Sequence, residues 1–242
     1  MDGVPAYVSI VFILTTFLTV GFLLQAVKAA GLQTLPAKIL LFLLPLWILL
    51  TGILAVGGFY LKTDAVPPRM LVAGVLPTLV VIAIYLVFFR KTFVERLPLR
   101  LLTLLHVVRI PVELVLYWLF LAGAVPQVMT FEGRNFDIAT GILAVILYFV
   151  AFRDNEPKRW LLVAFNILGL VLLGNIVSIA VMSLPTPLQR MSLEQPNIAV
   201  LYFPYAWLPT IIVPIVLFSH LAALWQLLKR KQAPPETRLV VN

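Results

Sequence analysis

The chain has 242 residues, 62% of them hydrophobic and only 12% charged, where ordinary soluble domains are roughly 45–50% apolar and about 25% charged. With a mean hydropathy of +1.06, this composition argues against a soluble enzyme, a disordered protein or a nucleic-acid-binding domain. The absence of cysteine removes disulfides, thiol catalysis and Cys-ligated metals, and two histidines are too few for a His-rich metal centre.

A helix needs about 20 mainly apolar residues to cross roughly 30 Å of hydrocarbon. Seven segments qualify in chain order: 6–27, 38–61, 69–89, 99–124, 136–152, 159–183 and 202–228. The fifth is the shortest and draws on its flanks. Met1-Asp2-Gly3-Val4-Pro5 carries no basic residue and the apolar run after it is too long for a signal-peptide core, so the first span reads as retained. Connections are short, the longest lying near 184–201 with Pro185, Pro187 and Pro196. The expected architecture is an all-α polytopic membrane protein, a bundle of seven transmembrane helices. Residues 1–231 form one domain, and 232–242, with Pro234-Pro235, form a flexible cytoplasmic tail.

Lys and Arg favour the cytoplasmic side of a membrane. Of the 18 such residues, Lys62, Arg69, Arg134 and Arg190 fall on one set of loops, Arg109 lies inside a span, and all others fall on the opposite set. That bias places the N-terminus outside and the C-terminus in the cytoplasm, as in a bacterial inner (plasma) membrane. It also explains the net charge of +8 without a nucleic-acid partner; contact with anionic lipid is expected instead. The six residues Thr51–Val56 recur as Thr140–Val145. Both copies would lie in the outer half of the bilayer on oppositely directed helices, whereas an inverted repeat mirrors depth, so the match reads as coincidence.

The fourth span is the one with ionisable residues in its middle. His106, Arg109, Glu113 and Tyr117 stand at spacings of three, four and four, which places them on one helical face. A charge at the centre of a span costs at least about 2.5–3.5 kcal/mol. Arg109 and Glu113 are therefore expected to pair and to face protein or water. Pro111 has no N–H for the carbonyl of Val107 and should kink the helix. Four polar residues on one stripe exceed what packing requires, although polar residues also serve as glue between membrane helices.

Other residues can complete a site. Glu132, Asn135 and Asp137 precede the fifth span; Asn135 or Asp137 can cap its helix, and Glu132 and Asp137 can line an outer vestibule. Asn166, Asn175 and Ser178 lie in the sixth span, with Asn175 placed to bond the fourth helix. Pro204, Pro209 and Pro214 predict a distorted seventh span, tolerated where protein or a cavity satisfies the freed carbonyls. His220 and His106 should sit at similar depth, either as unrelated interfacial histidines or as a proton relay, a shared metal site or the axial ligands of a haem.

Three functions fit these residues. The first is binding or transport of a small solute or ion, coupled to protons through Glu113, with Arg109 setting its charge, His106 relaying protons and Tyr117, Glu132 and Asp137 along the outer path. The second is an intramembrane enzyme acting on a lipid or isoprenoid. The third is a structural or sensory subunit that holds haem through His106 and His220. A retinal Schiff base is not expected, since the last span has no lysine before Lys229, and no H-E-x-x-H zinc motif occurs. Cofactor, metal and oligomeric state are left open by the sequence.

Overall fold

The computed structural model describes residues 1, 3–153 and 157–229; the expected tail at 232–242 and the basic residues Arg230, Lys231 and Arg238 lie outside them. The architecture is an all-α bundle. Its helices are α1 (Ala6–Ala30), α2 (Leu35–Val56), α3 (Leu76–Phe88), α4 (Leu99–Leu105), α5 (Arg109–Leu121), α6 (Asp137–Val150), α7 (Arg159–Met182) and α8 (Val213–Lys229). A π-helical turn, Met70–Val75, leads into α3, and another, Leu208–Ile212, leads into α8. A 3-10 turn, His106–Val108, joins α4 to α5 in one rod.

Six of these rods are long and apolar enough to cross a membrane. The seventh apolar helix, α6, has 14 residues, about 21 Å at 1.5 Å per residue, which is short of a full crossing. The segment 136–152 therefore holds a shorter helix than the other spans. The second span ends at Val56 rather than at 61, and the last begins at Leu208 rather than at 202.

The α4–α5 rod is central, packing against α1, α6 and α8, and α7 closes the ring between α6 and α8. About half of the rod and 61% of Leu208–Lys229 is buried, against 17% for α2 and 11% for Met70–Phe88. The last two are peripheral, with most of their surface turned to the surrounding hydrocarbon. Polar groups inside α1 are satisfied locally: Thr15, Thr16 and Thr19 each donate to the carbonyl four residues back, at 2.8–2.9 Å. Pro214 leaves the Thr210 carbonyl without its helical donor, and the Trp47 indole N–H of α2 donates to it at 3.1 Å.

Each end of the bundle is fastened. At one end the 183–201 segment folds over the rods: Gln195 Nε2 donates to the Phe120 and Val125 carbonyls, and the amides of Ile198 and Ala199 donate to the Ala124 carbonyl. At the other end Gln226 Nε2 donates to the Val94 and Leu97 carbonyls, and Lys229 Nζ pairs with Glu95 at 2.7 Å.

The Lys229 ammonium holds the Glu95 carboxyl below its usual range, helped by the Trp225 indole N–H and by Lys91. A depressed carboxyl contributes stability above the unfolded pKa, near 4.3, and loses it as pH falls through the folded value. The pair is solvent-exposed, so its worth is about 1 kcal/mol or less. The stability gap between wild type and Lys229→Met, measured by thermal unfolding in detergent, should be present at pH 7 and gone near pH 3. A gap unchanged by pH would contradict this assignment.

Candidate functional site

Pro111 shapes the site first. Its missing N–H leaves Val107 without an α-helical donor, and the rod tightens into the 3-10 turn at His106–Val108. The interruption expected upstream of Pro111 is thus present, as a tightened turn. His106 faces α7 and α8 on one side of it, and Arg109 faces α6 and α7.

Arg109 is 3% exposed and does not pair with Glu113 on its own helix. Its Nη1 donates to Asp137 Oδ1 at 3.2 Å and to Thr140 Oγ1 at 2.5 Å, and its Nη2 donates to the Gly169 carbonyl at 3.4 Å. The expected pairing along one helix is replaced by one across helices. Side chains on a helix lean toward its N-terminus, so Arg109 reaches away from Glu113, and Arg before Glu is the weaker order for an i, i+4 pair.

Glu113 is held from elsewhere. Asn135 Nδ2 donates to Glu113 Oε1 and to the Met129 carbonyl, while Asn135 Oδ1 accepts the Asp137 amide at 3.2 Å. Asn135, just before the Phe136 N-cap, therefore accepts the first amide of α6 and ties that helix to α5 with the same side chain. These bonds form a continuous run from Gly169 through Arg109, Asp137 and Asn135 to Glu113.

Such bonds require the chain before α6 to fold inward. Asn135 lies at the depth of Glu113, and Asp137 at that of Arg109. Asn175, seven residues before the end of α7 and so about 10 Å along the helix, donates to the Arg134 carbonyl at 2.8 Å. Asn175 is exposed and fastens this inward loop; it does not bond the fourth helix. Tyr117 is half-buried against Phe131, with ring centroids 5.0 Å apart, and Glu132 is exposed; neither bonds the buried run.

The two histidines meet. His106 and His220, both fully buried, stack with ring centroids 3.7 Å apart and planes 15° apart, and Phe165 lies edge-on to His106. Asn166 Nδ2 donates to the Leu162 carbonyl at 2.7 Å, which turns its Oδ1 toward His220 Nδ1 at 2.8 Å. His220 Nδ1 is then the donor and Nε2 the free acceptor. Rings stacked this closely leave no room for a haem iron between them, so the shared-haem expectation does not fit the geometry. Among the described residues no group of three His, Asp or Glu side chains is placed to hold a metal ion.

Sequence reasoning missed Thr140, Gly169 and Asn197. Gly169 is the most informative: a Cβ there would run into the His220 ring, just where the glycine's carbonyl meets Arg109, whereas Gly174 on the same helix faces open space. Gly141 plays the same part on α6, where a Cβ would meet Ile110 at 2.7 Å.

Beside the run lies a cavity of about 170 Å³. Arg109, Glu113 and Asp137 line it together with apolar residues of α5, α7, both π-helical turns and the 183–201 segment. Among the described residues Asn197 Oδ1 and His220 Nε2 keep an unmet acceptor capacity and Arg109 Nε an unmet donor, while Glu113 Oε2, an acceptor when the carboxyl is ionised, has no partner.

A family model described as a domain of unknown function (DUF8737) matches residues 66–228, and the chain belongs to that family. The match includes both buried polar clusters and the cavity's lining residues. No curated protein and no solved structure matches the chain.

Removing one partner of a buried ion pair strands the other charge, at about 3–5 kcal/mol, whereas replacing both with apolar residues is often close to neutral. Asp137→Asn should therefore lower unfolding stability in detergent by about that amount, and Arg109→Met with Asp137→Leu should recover most of it. Strictly additive losses would contradict the pairing.

Proposed function

We propose that this member of the DUF8737 family is a seven-span protein, N-terminus outside, that binds a small molecule beside Glu113 and exchanges a proton there, as a proton-coupled binding or transport protein would. One observation carries this reading. Arg109 is paired with Asp137, so Glu113 is a buried carboxyl with no ion-pair partner of its own; one oxygen is held by Asn135, the other is unmet, and the residue lines the cavity. An isolated buried carboxylate is costly. Its charge has to be balanced by something that comes and goes, a proton or a bound ligand.

The surrounding residues fit supporting roles. Asn135 and Asp137 position the carboxyl. His106 and His220 lie on the cytoplasmic side of Arg109 in the proposed orientation, and imidazole is the side chain suited to passing protons near neutral pH. Tyr117 and Glu132 stand between Glu113 and the outer end. A half-helix that begins inside the bundle, as α6 does, is the kind of element that places binding sites in membrane transporters.

Infrared difference spectra recorded across a pH titration of the reconstituted protein test the proton exchange. Wild type should show a carboxylic-acid carbonyl band that comes and goes reversibly with pH, and Glu113→Gln should lack it while retaining the helical amide signature. A variant spectrum identical to that of wild type would overturn the reading.

A further inference from the structure

The cavity's shape and its unmet atoms narrow the ligand. Its α7 wall runs from Leu173 through Ile176, Val177 and Ala180 to Val181, about 12 Å of helix, and Leu184 continues it just past the helix end. Met70, Leu71 and Val75 of the third span, and Ile212, Val213 and Val216 of the last, line the rest. A slot with walls this apolar does not suit a hydrated ion. Val177 on this wall is 37% exposed, so the slot is not sealed from the apolar surroundings of the bundle. A dry cavity of about 150 Å³ accepts benzene, so about 170 Å³ takes a body of similar size.

Two polar groups on this wall, Glu113 and Asn197, keep an unmet oxygen. Glu113 is 1% exposed with Oε2 unmet, and Asn197 is fully buried with Oδ1 unmet. Asn197 also commits its own Nδ2 to the Ala180 carbonyl and its amide to the Ser183 carbonyl, so it cannot turn to offer a donor without breaking the former bond. Arg109 is largely engaged by Asp137, Thr140 and Gly169, which take three of its five N–H groups and leave Nε and one Nη2 hydrogen. With Glu113 ionised, two buried acceptors among apolar residues call for a ligand that brings hydrogen-bond donors.

We infer that the cavity binds a membrane-borne amphipathic molecule with an apolar body of about six to eight heavy atoms and a hydrogen-bond-donating head, an amine or an alcohol, seated on Glu113 Oε2. Asn197 supplies a second acceptor at the end of the slot covered by the 183–201 segment. The inference rests on the reading of Glu113 as the ligand-facing carboxyl and adds the chemistry of what it faces. Hydrophobic walls select for the body, and the unmet oxygens reject heads that only accept, because those leave the buried acceptors unpaired.

Native mass spectrometry and calorimetry on the nanodisc-embedded protein test this with three probes of equal chain length: hexylamine, hexan-1-ol and hexanoate. The amine or the alcohol should bind at one saturable site and hexanoate should not; whichever of the two binds more tightly identifies the head. Glu113→Gln should weaken the amine about tenfold or more and Asn197→Leu should weaken the preferred probe about fivefold, as expected for losing a charged and a neutral hydrogen bond. Val216→Phe, which fills the slot without touching either acceptor, should abolish binding and leave unfolding stability within the range of the other variants. Hexanoate binding more tightly than both donors, no saturable binding by any probe, or binding unchanged by Val216→Phe would each overturn the inference. Absence of binding alongside an intact titrating Glu113 band removes this inference alone. Probe binding with no titrating band removes the proton exchange and leaves the ligand class standing.

Discussion

An arginine in the middle of a membrane bundle must be hydrogen-bonded and charge-balanced by protein, and the placement of much of this chain follows from meeting that need for Arg109. Its guanidinium takes a carboxylate and a hydroxyl from α6 and a backbone carbonyl from α7. To bring Asp137 to it, the chain between α5 and α6 folds into the bundle, and α6 starts at the depth of the charge. That in turn sets Asn135 against Glu113 and brings Gly141 onto the backbone of Ile110. Irregular backbone at membrane depth is tolerated where protein or a cavity satisfies it. Here Asn175 does so for Arg134, and Asn135 does so for Met129.

The same economy separates two polar clusters that the sequence places on one stripe. The 3-10 turn forced by Pro111 lies between His106 and Arg109. Toward one end of the rod, His106 stacks on His220 within the α7–α8 contact, with Asn166 fixing one tautomer and Gly169 providing the space. Toward the other, Arg109 and Glu113 meet the inward loop and the cavity. Gly169 touches both clusters, its carbonyl on Arg109 and its bare Cα against the His220 ring.

Much of this was legible in the sequence, and the reasons for the rest are physical. Hydropathy located the long rods to within a few residues at most ends, because a span is defined by length and apolarity alone. The stripe of His106, Arg109 and Glu113 was legible because charge inside hydrocarbon is costly enough to be informative. The partner of Arg109 was not, because helical spacing favours Glu113, whereas the direction in which side chains lean and the reach of Asp137 across helices are properties of packing. The depth of α6 escaped for a related reason: Asn135 and Asp137 look like ordinary helix-start residues, and a cap looks the same in sequence whether it sits at the surface or 10 Å below it. The stacking of His106 on His220 needed their equal depth, which the distances to the basic ends supplied, and also the gap at Gly169, which only the neighbouring helix reveals.

The inward placement of the α6 start is the claim on which the site depends, and spin-label depth in the bilayer measures it directly. The chain has no cysteine, so a single cysteine at Ala139 can be labelled cleanly. Labels at Leu114, on the exposed face beside Glu113, and at Leu121, at the end of the rod, provide depth references. The account predicts that the label at 139 is relaxed by lipid-dissolved oxygen to the extent of the label at 114 and is shielded from a water-soluble relaxant. A label at 139 that matches 121 and meets the aqueous relaxant would place the start of α6 at the membrane surface and contradict the account.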